Sequence, residues 1–138
     1  MNFFKRIILL FVLSITLIAS SLILQKVLQM YQDNTLNQHP QAVKSLINEA
    51  DKNADAAFLL ATSYKDGKIG EANLKKAYEW YIRAAKMGDA DAMLMLGWLY
   101  YNGELFGSSN IKKAKYWFSK AAGKGLDEAV EMLDILNS

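Results

Sequence analysis

The sequence nearly repeats itself after 36 or 37 residues, and this self-similarity limits the possible folds more than any other feature of the chain. Asn53-Ala54-Asp55-Ala56 lines up with Asp89-Ala90-Asp91-Ala92, Leu60 with Leu96, Tyr64 with Tyr100 and Gly67 with Gly103, each pair 36 apart. Asn73 then matches Asn110, Ala77 matches Ala114, Trp80 matches Trp117, Ala84-Ala85 match Ala121-Ala122 and Gly88 matches Gly125, each pair 37 apart. The extra residue enters between Gly103 and Asn110, where Glu104-Leu105-Phe106-Gly107-Ser108-Ser109 replaces the shorter Lys68-Ile69-Gly70-Glu71-Ala72. Inside a helix, one inserted residue would rotate every later side chain by about 100°. In a loop it leaves both helical faces in register.

Each unit reads as two antiparallel helices. Ala57, Leu60, Ala61 and Tyr64 form a stripe of helical period over 54–66, and Met93, Leu96, Gly97 and Tyr100 repeat it over 89–102. Gly67 and Gly103 come next, where a positive φ ends a helix without steric cost. Asn73 and Asn110 are suitable N-caps for second helices over 74–87 and 111–122. Small residues at Ala61, Gly97, Ala84 and Ala121 allow close approach of helices, and Trp80 and Trp117 are expected to fill the space between layers. Residues 41–52, led by Pro40, resemble a second helix without its first partner, and 126–138 resemble a first helix without its successor. The pattern defines a domain over 41–138, with repeats at about 53–88 and 89–125 and half-repeat caps at 41–52 and 126–138. Single units cannot bury a core, so the half units are structurally necessary.

These residues resemble Sel1-like repeats, a variant of the tetratricopeptide class. The resemblance rests on Ala92, Leu96-Gly97, Tyr100, Gly103, Lys113-Ala114, Trp117, Lys120-Ala121-Ala122 and Gly125. In the first unit it rests on Ala56, Leu60, Tyr64, Gly67, Lys76-Ala77, Trp80, Ala84-Ala85 and Gly88. Ala61 stands where the family usually has glycine, and Asn73 and Asn110 stand where aspartate is common. The resemblance implies an all-α solenoid, a right-handed superhelix serving as an adaptor for other proteins or, in bacteria, in envelope processes. Some secreted relatives linked to β-lactams are cysteine-rich, whereas this chain has no cysteine.

Ahead of the repeats, Lys5 and Arg6 precede an uncharged run from Ile7 to Leu24. As a helix its 18 residues reach about 27 Å, close to a hydrocarbon core of about 30 Å. Residues 1–31 therefore read as an inner-membrane anchor or a signal peptide. A cleaved signal is favoured by the 12-residue stretch Ile7–Ile18 followed by small Ala19-Ser20-Ser21. An uncleaved anchor is favoured by the continuation through Leu22-Ile23-Leu24. Under either reading Lys5 and Arg6 hold the N-terminus in the cytoplasm, and the chain beyond Lys26 crosses to the far side, the periplasm of a bacterium. Residues 32–40 are polar and aperiodic, and are expected to form a short linker.

The net charge of +2 divides unevenly: residues 1–32 carry three bases and no acid, leaving 13 bases against 14 acids in the remainder. A near-neutral repeat region has no nucleic-acid footprint. Without cysteine, and with His39 alone, the chain has no disulfide framework, thiol nucleophile or Cys/His zinc site. Asp89, Asp91, Asp127 and Glu128 fall in first turns, where acids complement the helix dipole. Neither an enzyme, a metal site nor a cofactor is expected.

A binding module remains. First helices line the concave side of such solenoids, and off the core stripe they carry Phe58, Thr62 and Lys65, matched by Leu94, Trp98 and Tyr101. With Phe106 these form the candidate partner surface, since aromatic residues are frequent interface anchors. The opposing reading has them packed on the terminal helix or one another. The expected function is a non-catalytic scaffold binding a protein or peptide partner in the bacterial envelope, with membrane contact through Ile7–Leu24. The alternative is a periplasmic binder of a small ligand or cell-wall fragment, with a hydrolase as a third class.

Overall fold

A computed structural model describes residues 3–138, with side chains from Ile7 onward, and among these residues the secondary structure is entirely helical. The helices are α1 (Phe3–Gln32), α2 (Pro40–Ala50), α3 (Ala54–Lys65), α4 (Leu74–Lys86), α5 (Ala90–Asn102), α6 (Ile111–Ala122) and α7 (Asp127–Asn137). From α2 onward each packs on the next, and the tightest pairs are the two hairpins α3–α4 and α5–α6.

The two hairpins start and turn by the same chemistry. Asn53, Asn73, Asp89 and Asn110 each place a side-chain oxygen on the backbone N–H three residues later, at 3.1, 2.9, 2.6 and 3.0 Å. Those bonds satisfy donors that a helix N-terminus leaves free. The Asn73 N–H donates to the Tyr64 carbonyl at 2.8 Å, and the Asn110 N–H donates to the Tyr100 carbonyl at 2.7 Å. The same bond thus closes both turns although the second is one residue longer. Gly103 has φ +69°, and a β-carbon there would collide with the Ser108 carbonyl group, so only glycine fits this turn.

The stripe that fills each hairpin is Ala77, Tyr81 and Ala84 on α4 and Ala114, Phe118 and Ala121 on α6, all fully buried. Trp80 and Trp117 are half-buried and pack against the core from its edge. The aromatic residue between the layers is therefore the one after each tryptophan. A step of one residue turns the side chain by about 100°, so only one of two neighbouring aromatics can point inward. Trp80 instead lies under the Arg83 guanidinium, 4.3 Å from its ring centroid. Tyr64 and Tyr100 share one contact, the ammonium groups of Lys76 and Lys113 at 5.2 and 5.0 Å from their rings, although Tyr100 is buried and Tyr64 only half-buried.

Residues 32–40 do not form a free linker. Helix α1 runs through Gln32, a 3₁₀ turn occupies Leu36–Gln38, and Leu36 is fully buried. One apolar residue in a polar run leaves no periodicity in the sequence, yet it suffices to pin the segment to the core.

Nor does α2 lack a partner. The last three turns of α1 pack on α2, with Val27 buried and Leu24, Met30 and Tyr31 against the core. Asp33 N–H donates to the Gln29 carbonyl and Thr35 N–H to that of Met30, both at 2.9 Å. At the end of α3, Asp66 N–H donates to Thr62 and Lys68 N–H to Ser63, also at 2.9 Å. Every group is 33 residues from its counterpart. Asn34, at φ +57°, takes the left-handed position that Gly67 takes at +67°, and buried Val27 corresponds to buried Leu60. The end of α1 is thus built as a first helix of a further hairpin.

Before that segment α1 is bare. Ile7 to Ile18 are all exposed, and contact with the rest of the chain is made by Ser20, whose hydroxyl donates to Glu49 at 2.5 Å. Over Ile7–Gln32 the helix is long and apolar enough to cross a membrane. Lys5 and Arg6, on which the expected orientation rests, lie outside the described side chains.

Candidate partner-binding surface

Helix α3 sets Phe58, Thr62 and Lys65 on one face at intervals of four and three residues. The Thr62 hydroxyl donates to the Phe58 carbonyl at 3.0 Å and lies 3.2 Å from the Tyr81 hydroxyl, which can donate to it in turn. Burial pushes the Tyr81 phenol up to about 12, so it remains a neutral donor. The Phe58 ring is 5.7 Å from that of Tyr81 and leaves its outer part uncovered.

Phe58 and Thr62 line a cleft of about 420 Å³ whose opposite wall is α1, through Leu24, Leu28 and Tyr31. Its end is formed by Asp55 at the start of α3 and by Asp89 and Asp91 at the start of α5. Lys65 lies beside the cleft, 3.6 Å from Asp66, which also accepts a hydrogen bond from the Tyr31 hydroxyl. That chain of contacts fastens the end of α1 to the end of α3.

The three aspartates give the cleft a single sign. No basic residue lines it, and none of the three has an ion-pair partner among the described residues. Burial raises the Asp89 carboxyl above its ordinary range, against the opposing Ala92 N–H bond, and the charges of Asp91 and Asp55 raise it further.

The other candidates go elsewhere. Leu94 is buried, because α5 is the central first helix and is covered around most of its circumference, from Ala92 to Tyr100. It is withdrawn from the accessible surface. Trp98 and Tyr101 meet edge to face at 5.6 Å, and Trp98 also packs on Phe118 at 5.5 Å. Its indole N–H donates to Glu128 at 3.1 Å, so Trp98 mainly holds α7. Phe106 stacks on Tyr100 at 4.8 Å and meets Tyr78 edge-on at 5.5 Å. It covers the Tyr78–Tyr100 hydroxyl pair, 2.7 Å apart, and does not join Trp98 and Tyr101.

The cleft's α1 wall and its acidic end are absent from the seven expected positions. A helix dipole explains each acid separately, and the sequence sign of a shared role was the recurrence of Asp55 at Asp91, 36 residues on. The α1 wall was hidden because its residues sit in an unbroken apolar run.

Among known families, the model described as Sel1 repeat matches residues 54–89 and 90–126. The crystal structure of a Sel1 repeat protein from Oxalobacter formigenes is similar at 31% identity and a TM-score of 0.65. The likeness covers 78% of this chain and 41% of that one, so this chain spans less than half of its neighbour's length. A search of curated proteins returns no match.

Proposed function

The chain belongs to the Sel1 repeat family, and on that premise we propose that it is a non-catalytic protein-interaction scaffold held at the inner membrane of a bacterium, with its repeats on the periplasmic side. Sel1 repeats are protein-interaction modules in general, and the observation that favours this use here is the cleft between α1 and α3, apolar on both walls and open to an incoming side chain. The bare apolar face from Ile7 to Ile18 supports a membrane location for the first part of α1. Attachment raises the local concentration of a partner in the same membrane, so that a modest affinity suffices.

Export followed by cleavage is the second reading. It is favoured by the coincidence that packing begins at Ser20, within the small residues Ala19-Ser20-Ser21. The part of α1 ahead of Ser20, residues 3–19, is about 25 Å long, short of an average hydrocarbon core by a few ångströms and within what a thin bilayer accommodates. Cleavage after Ser21 would still leave the α1 turns that pack on α2.

The test is to follow the full chain in cells. Recovery with membranes at intact mass, together with protease access to the repeats only from the periplasm, supports the anchored scaffold. A soluble product beginning near Leu22 replaces it with the exported form. Capture of membrane proteins by the full chain that fails when Phe58→Ala and Thr62→Ala are combined assigns capture to the cleft.

A further inference from the structure

The cleft between α1 and α3 continues toward the bare end of α1. A second hollow of about 590 Å³ shares Leu24 and Asp55 with it and extends along Leu17, Ile18 and Leu22. Together they form one groove that runs parallel to α1. Its lower part is lined on the α1 side by Leu17, Ile18, Leu22 and Leu24 together with Ser20, Ser21 and Gln25, and Leu17 and Ile18 belong to the bare stretch read as membrane-embedded. Asp55 is common to both hollows, and with Asp89 and Asp91 it marks the level at which they join. These carboxylates have no ion-pair partner among the described residues, and none of them needs a cation for the structural role it already fills.

We infer that this groove receives the helix of a second single-span membrane protein, one whose apolar stretch is followed by Lys or Arg within about two turns on the periplasmic side. The inference rests on the anchored reading of α1. Three features select this occupant. Its apolar part matches Leu17, Ile18 and Leu22, the first two of which lie in the bare stretch that a water-soluble peptide would not reach inside a bilayer. Its bases match three uncompensated acids, of which Asp89 is partly buried, where an opposite charge attracts more strongly than in water, and Asp55 and Asp91 are exposed. Lipid headgroup phosphates are repelled by the same acids. Basic residues are also depleted on the translocated side of membrane spans, so a base there is a selective mark.

The test uses the full chain in phosphatidylcholine vesicles with Leu28→Cys, a clean label because the chain has no cysteine. The probes are two synthetic single-span peptides with Leu/Ala spans and a terminal cysteine, one ending in three Arg and the other in three Glu. Dissolved oxygen with a copper–phenanthroline catalyst takes up the two electrons and two protons released as each pair of thiols joins. The Arg peptide is expected to form the mixed disulfide at least about tenfold faster, as expected for steering by opposite charges. That preference is expected to vanish when Asp55→Asn, Asp89→Asn and Asp91→Asn are combined. Asparagine preserves the cap, as Asn53 does in the preceding repeat. Equal rates for the two peptides overturn the inference, as does an Arg preference that survives the triple substitution. Disulfide-linked pairs of this chain in preference to the Arg peptide assign the groove to a second copy and likewise overturn it. If the full chain does not enter vesicles, the anchored reading falls together with the inference; if it enters and shows no Arg preference, only the inference falls.

Discussion

The ring of Phe118 fills the space that a β-carbon on Gly97 would need, with two ring carbons 2.5 Å from that position. The preceding repeat has Ala61 at the matching position and Tyr81 in place of Phe118. The two units thus share a backbone and differ in how one small residue and one aromatic divide the same volume. Gly97→Ala is expected to destabilise the chain by about 1–3 kcal/mol through overpacking. Phe118→Leu in the same chain should recover part of that loss, because contacting residues couple. Urea unfolding of the two single variants and the double variant measures the coupling, and strict additivity would show that the ring is not the obstacle.

Phe118 and Trp117 separate a core aromatic from its neighbour. Phe118→Ala empties a fully buried site and is expected to cost about 3–5 kcal/mol. Trp117 is half-buried, so Trp117→Ala is expected to cost only about 1–2 kcal/mol. The reverse order in unfolding experiments would mean that the tryptophans carry the hairpins.

The packing of α1 on α2 gives a prediction about trimming. A chain cut to 20–138 keeps Val27 and is expected to protect the Leu46 amide from hydrogen exchange. A chain cut to 33–138 uncovers that face and is expected to lose the protection. Val27→Ala in the full chain should cost about 1–2 kcal/mol, as does a modest core deletion. Equal protection in the two trimmed chains would make the end of α1 dispensable.

Much of this was legible in advance, and the parts that were not have physical causes. The caps at Asn73 and Asn110 and the turn at Gly103 could be read because cap and turn chemistry is local. The choice of Tyr81 and Phe118 over the adjacent tryptophans depends on helix phase against a neighbour, which aligned Trp–Trp pairs do not reveal. The first helix at 21–32 escaped because its spacing to α3 is 33 rather than 36, and an unbroken apolar run erases the stripe that would disclose a buried face. Within the candidate surface, Phe58 and Thr62 line the cleft, whereas Leu94 is buried and the half-buried Trp98 is bonded to α7, through approaches of neighbouring helices that no single-helix pattern records.

Asp89 makes stability depend on pH in a direction opposite to that of most carboxylates. Its folded carboxyl titrates above the unfolded one, so between the two values the folded chain holds a proton that the unfolded chain has released. Stability falls as pH rises through that window, and the penalty persists above it. Asp89→Asn keeps the oxygen that caps Ala92 and removes the charge. Its unfolding midpoint at pH 7 is expected to equal or exceed that of the unsubstituted chain, with the gap closing as the pH is lowered through the window. A variant less stable by the same margin at every pH would contradict this.

Helix α1 runs for 30 residues without a break, about 45 Å, from its bare apolar end into the stacked hairpins. Such a rod works as a lever. Were its bare end seated in a bilayer, as proposed, each degree of tilt there would be delivered to the far tip of the solenoid, and the lipid would set the direction in which the cleft looks.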